Sequence, residues 1–388
     1  MKKIIFVMQS LYNGGAERSL VNLLNELPKD KFDISLLLFK NEGMFLKQVP
    51  EYVHIIDTPE SLKRLFSPVP KAGKYAIVKL YGTMKSRSKE KNAPEQAAYR
   101  WRKYYSAQIP KLEEAFDIAV AYISGEVMYY VTEKIQAKSK YVWIHNDYKA
   151  AGHPKKYDYQ YLKRMNGIVS ISEKCVEIFE EEFPDLKDKA YYIPNLTSST
   201  VVKKRAEEFY PPEFKMDECV ILSVGRLNKQ KGFDLAIATA RELKERGLLF
   251  KWYIIGTGEL EESLKSEIIK KNVSDCFFFL GARENPYPYI KMSTIIVQPS
   301  RWEGKSVVLD EAKILCKPIV VTNYPTVHDQ IKNGKEGMIV PMTAEGIADG
   351  IQKMLGNKEL RNGYTEYLKV HEYGNQDEVQ KYIDLFER

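Results

Sequence analysis

The chain has 388 residues, 44% of them hydrophobic and 12% aromatic, and a formal net charge of +7 at pH 7. That length exceeds one ordinary core and predicts two domains of comparable size, while the apolar share excludes a disordered chain. Four scattered cysteines, Cys175, Cys219, Cys276 and Cys316, form no CxxC pair, which excludes a disulfide framework and a structural zinc site and suits a reducing compartment.

The start, "MKKIIFVMQSLYNGG", superficially resembles a signal peptide. Its apolar run from Ile4 to Met8 is shorter than an h-region, however, and passes directly into polar residues and glycines. It reads as a buried strand, leading through "LYNGG" into the helical pattern "AERSLVNLLNEL" and then the strand "FDISLLLF". Gly14 and Gly15 permit close backbone approach to a ligand at a helix N-terminus, with a simple tight turn as the alternative. No apolar run reaches the roughly 18 residues needed to cross a bilayer, so a cytoplasmic protein is expected. Peripheral attachment to the inner face of the plasma membrane stays open.

Residues 61–111 break the rhythm. They hold thirteen Lys and Arg against two Glu, interleaved with "YAIVKLYG" and "YRWRKYY". An insertion facing an anionic membrane surface and an ordinary solvated insertion are both compatible with this composition. Nucleic-acid binding is not expected, because no recognisable module accompanies the charge.

The strands "DIAVAYI", "YVWIH" and "GIVSIS" follow, the last leading into the helical "EKCVEIFEEEF". Such alternation predicts parallel strands joined by right-handed crossovers, a doubly wound α/β domain over residues 1–195. His145 ends the strand "YVWIH" and is followed by Asn146 and Asp147. A lone histidine is more often structural, but its place at a strand's carboxyl end makes it a candidate site residue. His54, His153, His328 and His371 lack such company. The pattern then lapses, and Pro211-Pro212 closes a linker expected over 196–215.

From 216 to 370 the alternation restarts. "CVILSVG", "KWYIIG", "CFFFLG", "TIIVQPS", "KPIVVTN" and "GMIVP" read as six strands with amphipathic helices between them. Two Rossmann-like domains facing a central cleft are therefore expected, with ligands beyond the carboxyl ends of the strands. Residues 371–388 read as a terminal amphipathic helix packing back toward the first domain.

After "CVILSVG" come Arg226 and Lys231, flanking a polar turn. Alone they are a weak signal. After "TIIVQP" comes "SRWEGKSVVLDEAKIL", with Glu303 and Glu311 separated by seven residues. Eight residues of helix rise roughly 12 Å, beyond the roughly 5–9.5 Å that separates paired glycosidase carboxylates. Two contacts to one elongated ligand fit better. Between them Gly304, Lys305 and Ser306 lead into a helix N-terminus, whose free amides favour phosphate. With Arg226 and Lys231 this would complete a cationic clamp around a diphosphate. Gly256 and Gly258 in "IIGTGELEESL" lack the third glycine of a dinucleotide fingerprint, which argues against a nicotinamide dehydrogenase. DxD, HExxH, GxSxG and Walker A sequences are all missing, so no metal site is expected and leaving-group charge falls to the basic pair and the helix start.

Taken together, "VGRLNKQKGFDLAI", "IIGTGELEESL", "FLGARENPYPYI" and "PSRWEGKSVVLDEAKILCKPIVVTN" resemble the family 4 glycosyltransferases, retaining enzymes of the GT-B fold. The resemblance is strongest from Cys219 to Pro341. It implies that Arg226 and Lys231 bind the donor's diphosphate, beside Lys305, Ser306 and Val307. Glu311 would hold the ribose and Glu303 would face the donor sugar. Gly281, Ala282 and Arg283 would meet the base, mainly through backbone. Gly15 would approach phosphate and acceptor, His145 would contact the donor sugar, and Asn195 would sit at the hinge. Gly14, Gly225, Gly256 and Gly304 complete the expected donor cleft.

Lys305 and Ser306 stand where many relatives have an aromatic residue or glycine and a proline. Lys305 is read as adding charge at the phosphate, with plain exposure as the alternative. The expected reaction moves a sugar from a nucleotide-sugar, with UDP as the expected nucleotide, to an acceptor hydroxyl. The acceptor would be a saccharide or lipid-linked saccharide of cell-envelope, capsular or exopolysaccharide synthesis. No cofactor is implied beyond that co-substrate. Two alternatives are a nucleotide-sugar epimerase, which would need a richer set of acid/base residues, and a degenerate nucleotide-sugar-binding partner protein.

Overall fold

The computed structural model describes residues 1–12, 14–215 and 217–388. Residue 13 of "LYNGG" and residue 216, the expected start of the second domain, lie outside the described residues. Two compact units result. The first comprises Met1–Tyr12, Ala16–Pro194 and Glu378–Arg388; the second holds Gly14, Gly15 and residues 195–377.

In the first unit, seven strands are β1 (Lys2–Met8), β2 (Phe32–Leu38), β3 (His54–Ile56), β4 (Ala115–Ala121), β5 (Gln136–Ile144), β6 (Gly167–Ser170) and β7 (Ala190–Tyr192). They pair in parallel in the order β3-β2-β1-β4-β5-β6-β7. Ile4, Ile5, Phe6 and Val7 are all fully buried, as expected for a strand covered by helices on both faces. Helix Val379–Glu387 belongs to this unit. Its Phe386 ring lies 5.9 Å from Phe6 and 6.2 Å from Phe32, while Tyr382 stacks on Trp143 at 5.8 Å. Lys2 Nζ donates to the carbonyls of Phe386 and Glu387, both at 2.9 Å, which satisfies the helix's last carbonyls with a cation.

The basic segment between β3 and β4 folds into helices Glu60–Phe66, Ala76–Lys89 and Ala93–Arg100, then a turn of π-helix over Trp101–Tyr105. It is anchored rather than loose. Trp101 is fully buried and donates to Glu133, which also accepts from Tyr161 at 2.8 Å. Glu90 is held by Lys156 at 2.7 Å and by the Tyr157 hydroxyl.

Six strands build the second unit: β8 (Val220–Val224), β9 (Lys251–Ile255), β10 (Phe277–Gly281), β11 (Ile295–Gln298), β12 (Ile319–Thr322) and β13 (Met338–Val340). Their order is β10-β9-β8-β11-β12-β13, again all parallel. One face packs Phe233, Ile237, Trp252 and Ile347; the other packs Leu222, Leu309, Ala312 and Val321. The stretch 196–215, read from sequence as a linker, carries helix Ser199–Arg205, and its Val202, Ala206 and Phe214 join this second core. Three basic residues end that helix without a long apolar run, which hid it from periodicity alone.

Two glycines hold this unit's loops together. Gly256 has φ 151°, and a Cβ there would lie 1.8 Å from the Gly225 carbonyl oxygen. Gly232 has φ 66°, and its Cβ would meet the Pro299 carbonyl oxygen at 2.1 Å. The loops leaving β8, β9 and β11 therefore touch backbone to backbone, a closeness that only glycine allows.

Candidate active site

Strand order in the second unit reverses between β8 and β11, the point at which open α/β sheets leave a crevice beyond their carboxyl ends. Two loops frame it. Beyond β8, Gly225 N donates to Ile255 O at 2.9 Å and Leu227 N to Thr257 O at 3.0 Å, so the backbone on either side of Arg226 is pinned. The Arg226 side chain is exposed at this edge. Asn228 accepts from Lys231 N at 3.2 Å and folds the turn back, which directs Lys231 toward the loop beyond β11. Gly225 assists, since a Cβ there would stand 3.1 Å from the lysine's Cδ and Cε.

At the end of that reach lies Glu303, 6% exposed. Its Oε1 accepts from Lys231 Nζ at 2.6 Å, Ser300 Oγ at 2.7 Å and Gln298 Nε2 at 3.3 Å; its Oε2 accepts from Gln230 Nε2 at 3.0 Å. Four donors thus fix one carboxylate, and Lys231 and Glu303 form a single ion-paired unit. The two loops are stitched further by Arg301, which grips Asp234 through two bonds of 2.8 and 2.6 Å and whose amide donates to Gln230 O at 2.7 Å. With both oxygens engaged, Glu303 is arranged to orient a neighbour, not to attack.

Helix Val307–Ile314 begins at Val307 with Ser306 as its N-cap residue. The Ser306 amide is not turned outward: it donates to Gln330 Oε1 at 2.9 Å, while Ser306 Oγ donates to Gln298 Oε1 at 2.7 Å. Any anion at this helix start must therefore look to amides beyond Ser306. Gly15 belongs to the same unit, and a Cβ on it would rest 3.7 Å from Val307 Cγ2, an ordinary contact. Lys305 Nζ lies 3.5 Å from Asp310 Oδ2, and Lys313 Nζ lies 3.4 Å from Asp310 Oδ1. Burial pushes the Asp310 carboxyl up, but Lys305, then Lys313 and Gln330, bring it below the usual carboxylate range. Lys305 is thus ion-paired to the helix that follows it, and Gly304 is buried beside it.

One turn further, Glu311 is fully buried on the same helix. At the end of β10, Gly281 takes φ 73° and accepts from Gly256 N at 2.9 Å. The Arg283 guanidinium is committed elsewhere, to Glu213 at 2.7 Å and the Tyr289 hydroxyl at 3.1 Å. What Gly281 and Ala282 can offer a ligand is backbone.

In the first unit, His145 follows the end of β5. Its Nε2 lies 2.9 Å from the Tyr122 carbonyl oxygen, which can only accept, so Nε2 carries the proton. Burial lowers the imidazole to about 4, opposed in part by that hydrogen bond. The ring is therefore neutral near pH 7, and its Nδ1, without a hydrogen-bond partner among the described residues, is an acceptor.

Residues 204–371 match the family described as Glycosyl transferases group 1. An uncharacterized glycosyltransferase of Haemophilus influenzae is 24% identical over 93% of this chain and 92% of its own. The amylovoran biosynthesis glycosyltransferase AmsK of Erwinia amylovora is 33% identical over 39% of this chain and 38% of its own. Among solved structures, Anabaena HepE in complex with UDP and glucose superposes with a TM-score of 0.73 at 13% identity, covering 99% of both chains. The chain resembles the group 1 glycosyltransferases, by a family match over residues 204–371 and by glycosyltransferase relatives along its length. Its fold is GT-B, and relatives of this transferase serve polysaccharide synthesis.

Three glutamines of the transferase went unnoticed in its sequence. Gln298 was legible in principle, as a polar residue ending an otherwise apolar strand. Gln230 and Gln330 gave no local signal, since their partners lie 73 and 24 residues away.

Proposed function

We propose that this glycosyltransferase moves a sugar from a UDP-sugar to an acceptor hydroxyl with retained anomeric configuration, as a family 4 enzyme would. The observation that carries the reading is the Lys231–Glu303 pair at the strand-reversal point of the second sheet, with Arg226 on the same loop beyond β8. Arg226 and Lys231 neutralise the donor's diphosphate, and Glu303 fixes Lys231 and receives a sugar hydroxyl. Glu311 meets the ribose, and the backbone of Gly281 and Ala282 meets the base. His145, as a neutral acceptor at Nδ1, takes a hydrogen bond from a donor-sugar hydroxyl. Lys305 contributes field rather than a direct bond.

In the reaction, the bond from the anomeric carbon to the β-phosphate oxygen breaks through an oxocarbenium-like state. The acceptor oxygen bonds to that carbon on the same face, its proton passes to the departing phosphate oxygen, and UDP leaves. Arg226 and Lys231 are positioned before the charge develops, which is the condition for electrostatic stabilisation without reorganisation. HepE has also been crystallised with UDP-glucose, which supports the donor class. The acceptor is proposed to be a saccharide or lipid-linked saccharide of a cell-envelope polymer, in line with the amylovoran relative.

The test is a panel of UDP-, GDP- and dTDP-sugars with a lipid-linked saccharide acceptor, followed by NMR of the product's anomeric proton. Transfer from a UDP-sugar with retained configuration supports the reading. Inversion, or turnover only with another nucleotide, contradicts it.

A further inference from the structure

Helix Ala76–Lys89 of the basic segment is built inside out. Its exposed large apolar side chains are Ile77, Leu80, Tyr81 and Met84, at 78%, 56%, 46% and 59% exposure. These positions follow the i, i+3, i+4, i+7 spacing that places side chains on one stripe. The stripe faces solvent. Apart from Val78, partly buried against the core, the face turned into the protein is small and polar: Gly82 and Ser86 are buried, a Cβ on Gly82 would lie 3.1 Å from the Tyr104 ring, and Arg100 donates to Ser86 Oγ at 3.2 Å. Lys79, also on that side, donates to the carbonyls of Leu65 and Ser67. Burial of Val78 alone cannot explain why the four larger apolar side chains of this helix face outward.

Charge names the occupant. Lys74 and Lys85 flank the stripe on one side and Arg87 on the other. Ten of the thirteen Lys and Arg in residues 61–111 are exposed. The segment's two acids do not offset them, because Glu90 and Glu95 are both taken by Lys156, at 2.7 and 3.7 Å. An apolar stripe with long cationic side chains along its borders matches the boundary between acyl chains and anionic headgroups, where the lysine stems lie along apolar surface and their heads reach phosphate. A protein partner would need a matching acidic groove, and a second copy of this chain would bring positive charge against positive charge. No helix of the described residues is long and apolar enough to cross a membrane, so the fit is to the surface.

We propose that helix Ala76–Lys89 docks this protein on an anionic lipid bilayer, with Ile77, Leu80, Tyr81 and Met84 inserted and Lys74, Lys85 and Arg87 at the headgroups. Attachment of this kind requires no donor and no transfer, so it stands or falls separately from the proposed reaction.

The experiment is flotation of the full chain with vesicles of phosphatidylcholine alone or mixed with phosphatidylglycerol. The wild type is expected to float with the anionic vesicles and to lose most of that binding in high salt. Ile77→Ser/Leu80→Ser/Met84→Ser should keep its thermal unfolding midpoint yet partition roughly tenfold less. Lys74→Glu/Lys85→Glu/Arg87→Glu should fall by a similar factor. A third variant, Tyr81→Trp, guards against misfolding of the triple variants: brominated lipid should quench the fluorescence of the introduced indole. The proposal is overturned if the wild type stays with the bulk solution, if the serine variant floats equally well, or if brominated lipid leaves the Tyr81→Trp emission unquenched. It is equally overturned if the stripe instead drives a concentration-dependent dimer that the serine variant disperses.

Discussion

The two sheets end differently at their carboxyl edges, and the difference separates two kinds of recognition. Beyond β8 and β11 the second unit gathers formal charge: Lys231 and Glu303 in contact at 2.6 Å, Arg226 on the loop that carries Lys231, and Asp310 between two lysines. Beyond β4 and β5 the first unit offers a neutral imidazole and the Tyr122 carbonyl it is bonded to. A fixed charge array suits a pyrophosphate, whose charge grows as the glycosidic bond breaks. A neutral imidazole can accept from a sugar hydroxyl at Nδ1, whereas a cationic one could only donate to it. On the proposed reading, one fold used twice would supply two chemistries through its loop residues alone.

The strongest way to break this contrast is at Glu303. Glu303→Ala leaves Lys231 partly buried without its anion and strands three further donors, which should destabilise the protein by about 3 kcal/mol in urea denaturation. By misplacing Lys231 it should also cut turnover about 100-fold. Glu303→Gln should recover much of the stability and little of the activity. Retained activity in the alanine variant would show that the ion pair is only structural.

Next in size is a split between the two cations. Arg226→Ala and Lys231→Ala should each raise the donor KM by about 10- to 100-fold, as loss of a charge-assisted hydrogen bond implies. Lys231→Ala should also lower the melting temperature, because Lys231 is paired to the buried Glu303 carboxylate. An unchanged melting temperature in Lys231→Ala would contradict the arrangement.

On the first unit, the pH dependence is smaller and of definite sign. His145 is lowered from 6.5 to about 4, so between those values the unfolded chain binds the proton and the folded one does not. Stability carried by this residue is therefore complete above about 6.5 and lost as pH falls toward 4. His153, whose Nε2 lies 2.8 Å from Asn146 Oδ1, is lowered in the same way, so His145→Gln should reduce the slope over that window without abolishing it. Donor KM should show no His145 inflection from pH 6.5 to 8. The smallest effect belongs to Lys305→Ala. Since Lys305 is tied to Asp310, donor binding should change only a few-fold, about 0.5–1 kcal/mol, measured by calorimetry.

The architecture was largely legible in the sequence. All six strands of the second unit stand where short apolar runs alternate with amphipathic stretches, and the helix after "EGKS" starts one residue past Ser306. Edge strands β3 and β7, three residues each, were not visible because so short a run has no period to detect. The site was half legible. Residue type and strand-end position flagged Lys231 and Glu303, but not that they touch across 72 residues, which depends on β11 lying beside β8. The Ser306 amide was expected to be open because helix starts generally are; a distant glutamine fills it. Charge alone marks Lys305 as a phosphate contact; its ion pair with Asp310 in the first turn of the following helix is invisible to charge counting.

Diphosphate recognition by Arg226 and Lys231 is the central proposal, and calorimetry of UDP against uridine tests it most directly. Wild-type protein should bind UDP about 100-fold more tightly than uridine, and the gap should close in the Arg226→Ala/Lys231→Ala double variant while uridine binding stays the same. Equal affinity of the wild type for both ligands, or an undiminished gap in the double variant, would place the phosphates elsewhere.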